Sequence, residues 1–228
     1  MRPADIISYL ELCQAEGANL QRGMNYRFRG GTTVVLMSVR RGAPYADRVE
    51  EEGRTLIYEG HDAPKTKNGP DTKRIDQPLR NPNGTLTQNG LFFEAAKRFK
   101  NDGDVEPVRV YEKIRNGLWV YNGIFELRDA WVDESQKRKV FKFRLEISRR
   151  SDAGEGISAD LAHNRLIPSQ VKVEVWKRDK GRCVKCGSLD NLHFDHVLPF
   201  SRGGTSLLPG NIQLLCARHN LEKRDRIE

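Results

Sequence analysis

The 228 residues suffice for one large domain or two smaller ones, and 37% hydrophobic with 31% charged residues is an ordinary globular composition. The formal net charge of +8, of which residues 161–228 carry +5, suits a polyanionic partner such as nucleic acid. The longest aliphatic run, Val34-Val35-Leu36-Met37, falls far short of the ~20 residues of a membrane span, and Met1-Arg2-Pro3 leads into a polar stretch without a signal-peptide core, so no membrane partner is expected.

A first helix is expected over residues 4–16, where Ile6, Ile7, Leu10 and Leu12 give an apolar side and Gly17 ends it. Strands are expected over residues 33–39 and 55–58. Residues 60–89, rich in Pro, Asn, Gly and Asp, read as a loop too long for a compact domain to carry without its being mobile or functional. Leu91, Phe92, Ala95, Ala96 and Phe99 mark a second helix, and strands follow over 108–114, 118–128 and 139–147. In the last of these Val140, Phe141, Phe143, Leu145 and Ile147 largely alternate, as in a half-buried strand. The composition then shifts to Arg, Ser, Asp, Gly and Glu, which reads as a linker. Pro168 and Ser169 open a helix to Asp179 with Val171, Val175 and Trp176 on one side. The expected division is a β-rich domain over 1–150, a linker over 151–167 and a small module over 168–228.

Of four cysteines, Cys13 stands alone and is expected to be a packed thiol. Cys183-x2-Cys186 and Cys216-x2-His219 supply two ligand pairs, a closed Cys3His set of the kind that holds structural zinc. A module of about 60 residues has too small a core to stand alone, which gives the metal a physical role.

This segment resembles the HNH nucleases of the ββα-metal class. The resemblance rests on Asp195-His196-Val197-Leu198-Pro199, Ser201-Arg202-Gly203-Gly204, Asn211-Ile212-Gln213-Leu214-Leu215-Cys216 and His219-Asn220-x2-Lys223. It implies that His196 takes the proton of the attacking water and that Asn211 holds the loop around it. Asp195 and Asn220 offer hard oxygen ligands for a catalytic divalent cation, Mg2+ or Mn2+. Lys223, nearly on the face of Asn220, is placed to contact phosphate. Two positions depart from the family pattern: His219 replaces the frequent fourth Cys, and Asn220 stands at the last signature position in place of His. In a regular strand Asp195 and His196 face opposite ways while His193 shares the face of Asp195, so a bend at the strand end is expected; His193 is the alternative base.

The preceding domain is similar to the SRA (SET and RING associated) domain. The similarity rests on Glu106-Pro107-Val108-Arg109-Val110, Tyr121-Asn122-Gly123-Ile124-Phe125 in place of the eponymous Tyr-Asp-Gly, Trp131 and Val140-Phe141-Lys142-Phe143-Arg144-Leu145. Tyr58-Glu59-Gly60 and Asn89-Gly90-Leu91 fit the same order. It implies an α+β protein: an SRA/PUA-like, twisted β-barrel-like domain with flanking helices, followed by the ββα-metal module. It also implies a reader that flips a modified cytosine, with Tyr45 and Tyr58 as the stacking pair and Glu59 beside them. An ungapped comparison puts the family's acid at Arg48; Asp47 is the expected acid, with Asp62 in reserve.

The expected whole is a modification-dependent (type IV) restriction endonuclease acting on double-stranded DNA, cytoplasmic in a prokaryote. A flexible linker of this length would span roughly 25 Å, leaving the cut loosely placed. A double-strand break would need a homodimer or two successive nicks. The rival readings are an HNH nicking or homing-type enzyme reading unmodified DNA, and a non-catalytic zinc protein that binds DNA.

Overall fold

The computed structural model describes residues 1–20, 23–28, 31–67, 69–134, 137–148, 166–199 and 202–223. The expected linker lies outside them except for Leu166 and Ile167, as do Ser201 and the segment beyond Lys223.

Eight strands form the N-terminal sheet: β1 (Ile6–Ser8), β2 (Met24–Phe28), β3 (Thr32–Met37), β4 (Arg48–Glu50), β5 (Thr55–Glu59), β6 (Glu106–Arg115), β7 (Leu118–Asp133) and β8 (Val140–Ile147). Their order is β2-β3-β6-β7-β8-β5-β4, with β1 added to β7 and only the β3–β6 pair parallel. The sheet stays open: β2 and β4 are its two ends, so the barrel-like expectation holds only as a mixed sheet.

Helix α2 (Gln88–Asp102) lays Phe92, Ala95 and Ala96 on Val35, Leu56, Tyr58, Val108, Phe125 and Phe143, forming the main core. Thr87 caps its start and Gly103, at φ 74°, ends it in the left-handed region that glycine adopts freely. The opposite face carries a smaller cluster of Leu12, Leu20, Val34, Tyr111, Trp119 and Tyr121 under helix α1 (Tyr9–Ala15).

The first helix begins later than expected. Ile6 and Ile7 pair with Val120 and Trp119 on β7, and the helix starts after Ser8. Ser8 and Glu11 cap each other's backbone N–H groups, satisfying two otherwise orphaned donors. β8 is not half-buried: Val140, Phe141, Lys142 and Phe143 are all buried. The long polar segment covers them: the Gln77 side-chain amide donates to the Gly60 carbonyl and accepts from the Phe141 N–H, and its backbone N–H donates to the Lys139 carbonyl.

The C-terminal module consists of α3 (Ser169–Arg178), the antiparallel pair β9 (Leu192–His196) and β10 (Ile212–Cys216), and α4 (Ala217–Lys223). Its apolar face does not form a separate core. Ile167, Val171, Val175, Phe194, Ile212 and Leu214 close over Ile114 and Val120 of β6 and β7.

Candidate nuclease and reader sites

The Cys3His cluster is assembled from three places. Cys183 and Cys186 come from the turn after α3, Cys216 ends β10, and His219 lies in the first turn of α4; their ligand atoms all fall within 4.8 Å of one another. His219 Nδ1 is 3.4 Å from Cys183 Sγ and 3.3 Å from Cys216 Sγ, and the Cys186 and Cys216 sulfurs are 3.8 Å apart. Four donors about 2.0–2.3 Å from one ion at tetrahedral angles would be separated by about 3.5–3.8 Å, so the cluster has the dimensions of a metal site. Burial raises the Cys183 thiol, but backbone N–H groups at Cys216, Cys186 and Lys185, with His219, outweigh it and bring the pKa down to about 6, favouring the ligating thiolate.

The loop expected to be catalytic follows β9. Asn211 accepts from the Leu198 N–H at 2.8 Å and donates to the carbonyls of Leu198 (3.1 Å) and Thr205 (2.9 Å), tying both limbs of the loop together. The loop closes so tightly at Gly204 that a Cβ there would lie 1.9 Å from the Leu198 carbonyl oxygen, which accounts for glycine at that position. His196 Nε2 sits 2.9 Å from the hydroxyl of buried Ser206. If Nε2–H donates to Ser206, Nδ1 keeps the lone pair that a general base needs. Burial lowers the His196 pKa below 6.5; Asp195 raises it and Lys223 lowers it further, and burial prevails.

Lys223, expected against phosphate, is 2% exposed. Its ammonium pairs with Asp195 Oδ2 at 2.8 Å and donates to the His196 carbonyl, so it holds the end of β9 from within. Gln213 adds a longer bond to the same oxygen, leaving Asp195 Oδ1 without a hydrogen bond among the described residues. Asn220 lies three residues before Lys223 on α4. The register of β9 runs unbroken from Leu192 to His196, the strand end at which the bend is expected. Asp195 and His196 diverge to Lys223 and Ser206, and Lys223 joins them through a side chain and a backbone carbonyl. His193 is drawn elsewhere: its Nδ1 is 2.5 Å from Asp5, and its buried Nε2 has no partner among the described residues.

In the N-terminal domain, Tyr45 stacks on His61 at 4.7 Å between centroids and 5° between planes. Tyr58 is buried, its hydroxyl 2.9 Å from His61 Nε2 and its ring tilted 39° to the imidazole. The two tyrosines therefore meet through a histidine that no local sequence signal singled out. Asn89 fixes the backbone of His61 on both sides, N–H and C=O.

The three acids differ in their surroundings. Glu59 pairs with Lys142 at 2.7 Å and lies 3.6 Å from Arg138, while Asp62 pairs with Arg138 at 2.7 Å and Lys73 at 2.8 Å. Burial pushes Asp62 up, but bonds from Lys73, Arg138 and Gln77 hold it below the ordinary carboxylate value. Asp47 makes no ion pair among the described residues. It accepts from the backbone N–H groups of Ser38 (3.1 Å) and Glu59 (3.0 Å), and burial outweighs these bonds to raise its pKa to about 7.

The SAD/SRA domain family model matches residues 8–151, and the HNH endonuclease model matches residues 183–226. No curated protein matches the chain. Among solved structures, the SUVH5 SRA domain bound to fully hydroxymethylated CG DNA is 24% identical over 63% of this chain and 86% of that one, with a TM-score of 0.43. The SUVH5 SRA complex with methylated CHH DNA is 22% identical over 66% and 91%, with a TM-score of 0.45. Arabidopsis thaliana SUVH6 in complex with SAM is 20% identical over 75% and 28%, with a TM-score of 0.45. With nearly two thirds of its length matched by the first model, the chain belongs to the SAD/SRA domain family and carries an HNH endonuclease domain at its C-terminal end.

Proposed function

We propose that the protein is a modification-dependent DNA endonuclease, in which residues 1–150 flip and read a modified cytosine and residues 168–228 hydrolyse a phosphodiester nearby. The observation that carries this reading is the combination of an HNH segment in which Asp195, His196 and Asn211 are each held by a neighbouring side chain or backbone group and a reader segment with a stacked aromatic pair beside an acid that has no ion-pair partner among the described residues. A non-catalytic scaffold would have no need of the first.

A flipped base would enter between the rings of Tyr45 and Tyr58 by displacing His61, which stacks on the first and bonds the second, and Asp47 would supply the group for its Watson–Crick edge. A carboxyl near pH 7 in its titration can accept from the cytosine amino group and, when protonated, donate to the ring nitrogen. Arg40, Arg41 and Arg48 line a groove of ≈720 Å³ that runs from Asp47 to the first turn of α3, where they would meet DNA phosphates.

In the nuclease, zinc suits the Cys3His cluster and a divalent cation such as Mg2+ or Mn2+ suits the oxygen donors of Asp195 and Asn220. The cation, when bound, would supply Lewis-acid stabilisation of phosphate and leaving oxygen. His196, neutral at physiological pH, takes the water proton; Ser206 orients its ring; Lys223 fixes Asp195 Oδ2 so that Oδ1 points to a ligand.

Digestion of matched duplexes containing cytosine, 5-methylcytosine or 5-hydroxymethylcytosine, with Mg2+ present, tests the proposal. Modified DNA should be cut, and His196→Ala should lose cleavage on the order of 100- to 10,000-fold while retaining affinity. Equal cleavage of unmodified DNA would leave a nuclease that reads sequence alone.

A further inference from the structure

We infer that reader and nuclease are locked into one rigid body, with Lys172 as the positioning residue, so that the fold and not the length of the connecting segment sets the distance from modified base to cut. The inference rests on the proposed function and deepens it.

Three sets of contacts, independent of one another, cross the junction. The first is the shared core: Ile114 and Val120 of the sheet are buried against Val171 and Val175 of α3 and Phe194 and Ile212 of the ββ pair. Separating the two parts would expose both surfaces to water.

The second is polar and buried. Lys172, 1% exposed on α3, donates to Glu112 at 2.6 Å and to the Asn122 side-chain oxygen at 2.7 Å, while the Asn122 amide donates to Glu112 at 3.1 Å. Undocking would strand Glu112, itself 1% exposed, without its cation. Asn122 is the middle residue of the Tyr121-Asn122-Gly123 motif. An Asp there would set a second carboxylate beside Glu112 around one lysine, so the amide is the residue that fits this junction. Lys172 thus connects a reader motif directly to the nuclease helix.

The third is a backbone strap from residues 4–6. The Ala4 N–H donates to the Tyr121 carbonyl and the Ala4 carbonyl accepts from Phe194, while Tyr121 N–H donates to Asp5 and the Asp5 side chain holds His193. Ala4 adopts φ 73° to serve both strands, a strained conformation for a residue with a Cβ. His193 belongs to β9, three residues before His196. A cavity of ≈160 Å³ lined by Asn122, Lys172, Asp195 and His196 shows how closely the reader motif backs onto the catalytic strand. On the far side of the connection, Leu166 N–H bonds the Gly53 carbonyl, and a Cβ on Gly53 would lie 2.3 Å from the Leu166 oxygen. The nuclease segment is therefore held to the sheet both where it begins, at Leu166, and along β9.

The test lengthens the connection without touching the junction. A full-length variant with ten Gly/Ser residues inserted between residues 155 and 160, and a second carrying Lys172→Met, are compared with wild type on duplexes bearing a single modified cytosine. Cut positions are mapped with end labels, and radii of gyration are measured by X-ray scattering. A rigid body of this size has a radius of gyration of roughly 17 Å. The insertion should leave cut position and core dimensions as in wild type, whereas Lys172→Met should spread the cuts over neighbouring positions and Lys172→Arg should narrow them again. An insertion that shifts or broadens the cut overturns the inference, as does a Lys172→Met protein that is folded and cuts at the wild-type position. If no variant cuts modified DNA, the functional reading fails, and scattering alone decides: a particle expanded well beyond the compact value overturns docking, and an unexpanded one sustains it.

Discussion

The proposed nuclease site and the proposed reader pocket are built on different principles. In the HNH segment the named side chains fall between Cys183 and Lys223, and three of them are fixed by partners from the same window: Asn211 by Leu198 and Thr205, Asp195 by Lys223, His196 by Ser206. The reader pocket gathers Ser38, Tyr45, Asp47, Tyr58, His61, Asn89, Arg138 and Lys142 from separate strands and loops. One metal and one tight loop impose spacing rules on neighbouring residues, whereas walls contributed by distant strands impose none. Perturbing a local ligand should therefore act on a whole module, and perturbing a pocket wall should act on one contact.

The largest effect expected is at the metal cluster. Cys186 is exposed while Cys183 and Cys216 are buried, so Cys186→Ser removes a ligand with little loss of packing. Structural zinc contributes roughly 10 kcal/mol or more to small modules that fold around it. Because the module shares its core with Ile114 and Val120, loss of the metal should loosen that edge of the sheet as well. Elemental analysis should give one zinc per wild-type chain and a reduced content in the variant, with a large fall in Tm on strong chelation. A folded wild-type protein without zinc would remove the metal from the account of stability.

This difference also governs what could be read in advance. The Cys3His set, Asn211 and the Asp195-His196 pair were legible because their chemistry dictates spacing. Ser206 was not, since a serine ten residues from a histidine carries no periodic signal. Lys223 was placed on the correct helix, but its burial depends on how α4 crosses β9. Lys172 sits among Val171, Val173 and Val175, where sequence alone offers no reason for a buried cation; its partners Glu112 and Asn122 lie far back in the chain. Strand β1 was read as helix because Ile6 and Ile7 suit either form until the edge of β7 is present. In the reader, the tyrosines were legible by similarity, and His61 was not, because its role follows from Asn89 and Gly23 converging on it across the fold.

The next effect concerns the pocket acid. The Asp47 pKa lies at about 7 in the fold against an ordinary 3.8. A raised carboxyl favours the protonated folded state, so its contribution to stability is complete below 3.8, declines as pH rises toward about 7, and is level above that. Asp47→Asn does not titrate. The difference in Tm between variant and wild type should therefore move in the variant's favour across this window, measured by thermal unfolding at a series of pH values. A difference independent of pH would mean that the carboxyl ionises in the fold as readily as in water.

The smallest effect isolates a single hydroxyl. Burial holds the Tyr58 phenol well above its ordinary pKa, with Asp47, Tyr45 and Glu59 adding to the rise, so it stays neutral throughout the working range. Among the described residues its hydroxyl has two hydrogen-bond neighbours, His61 Nε2 at 2.9 Å and the Leu36 carbonyl at 3.4 Å, of which only the first has good hydrogen-bond length. Tyr58→Phe removes that bond and keeps the ring. A net loss of about 1 kcal/mol in stability is expected, since one neutral hydrogen bond is at stake. Affinity for modified DNA should change only a few-fold, because the ring face survives. Tyr58→Ala also removes the face and should weaken binding by on the order of 1–3 kcal/mol. Titrating both variants with the same modified duplex at matched salt separates the two contributions. If Tyr58→Phe binds as poorly as Tyr58→Ala, the hydroxyl's hold on His61 governs the pocket, and the stacking role assigned to the Tyr58 ring passes to Tyr45 and His61.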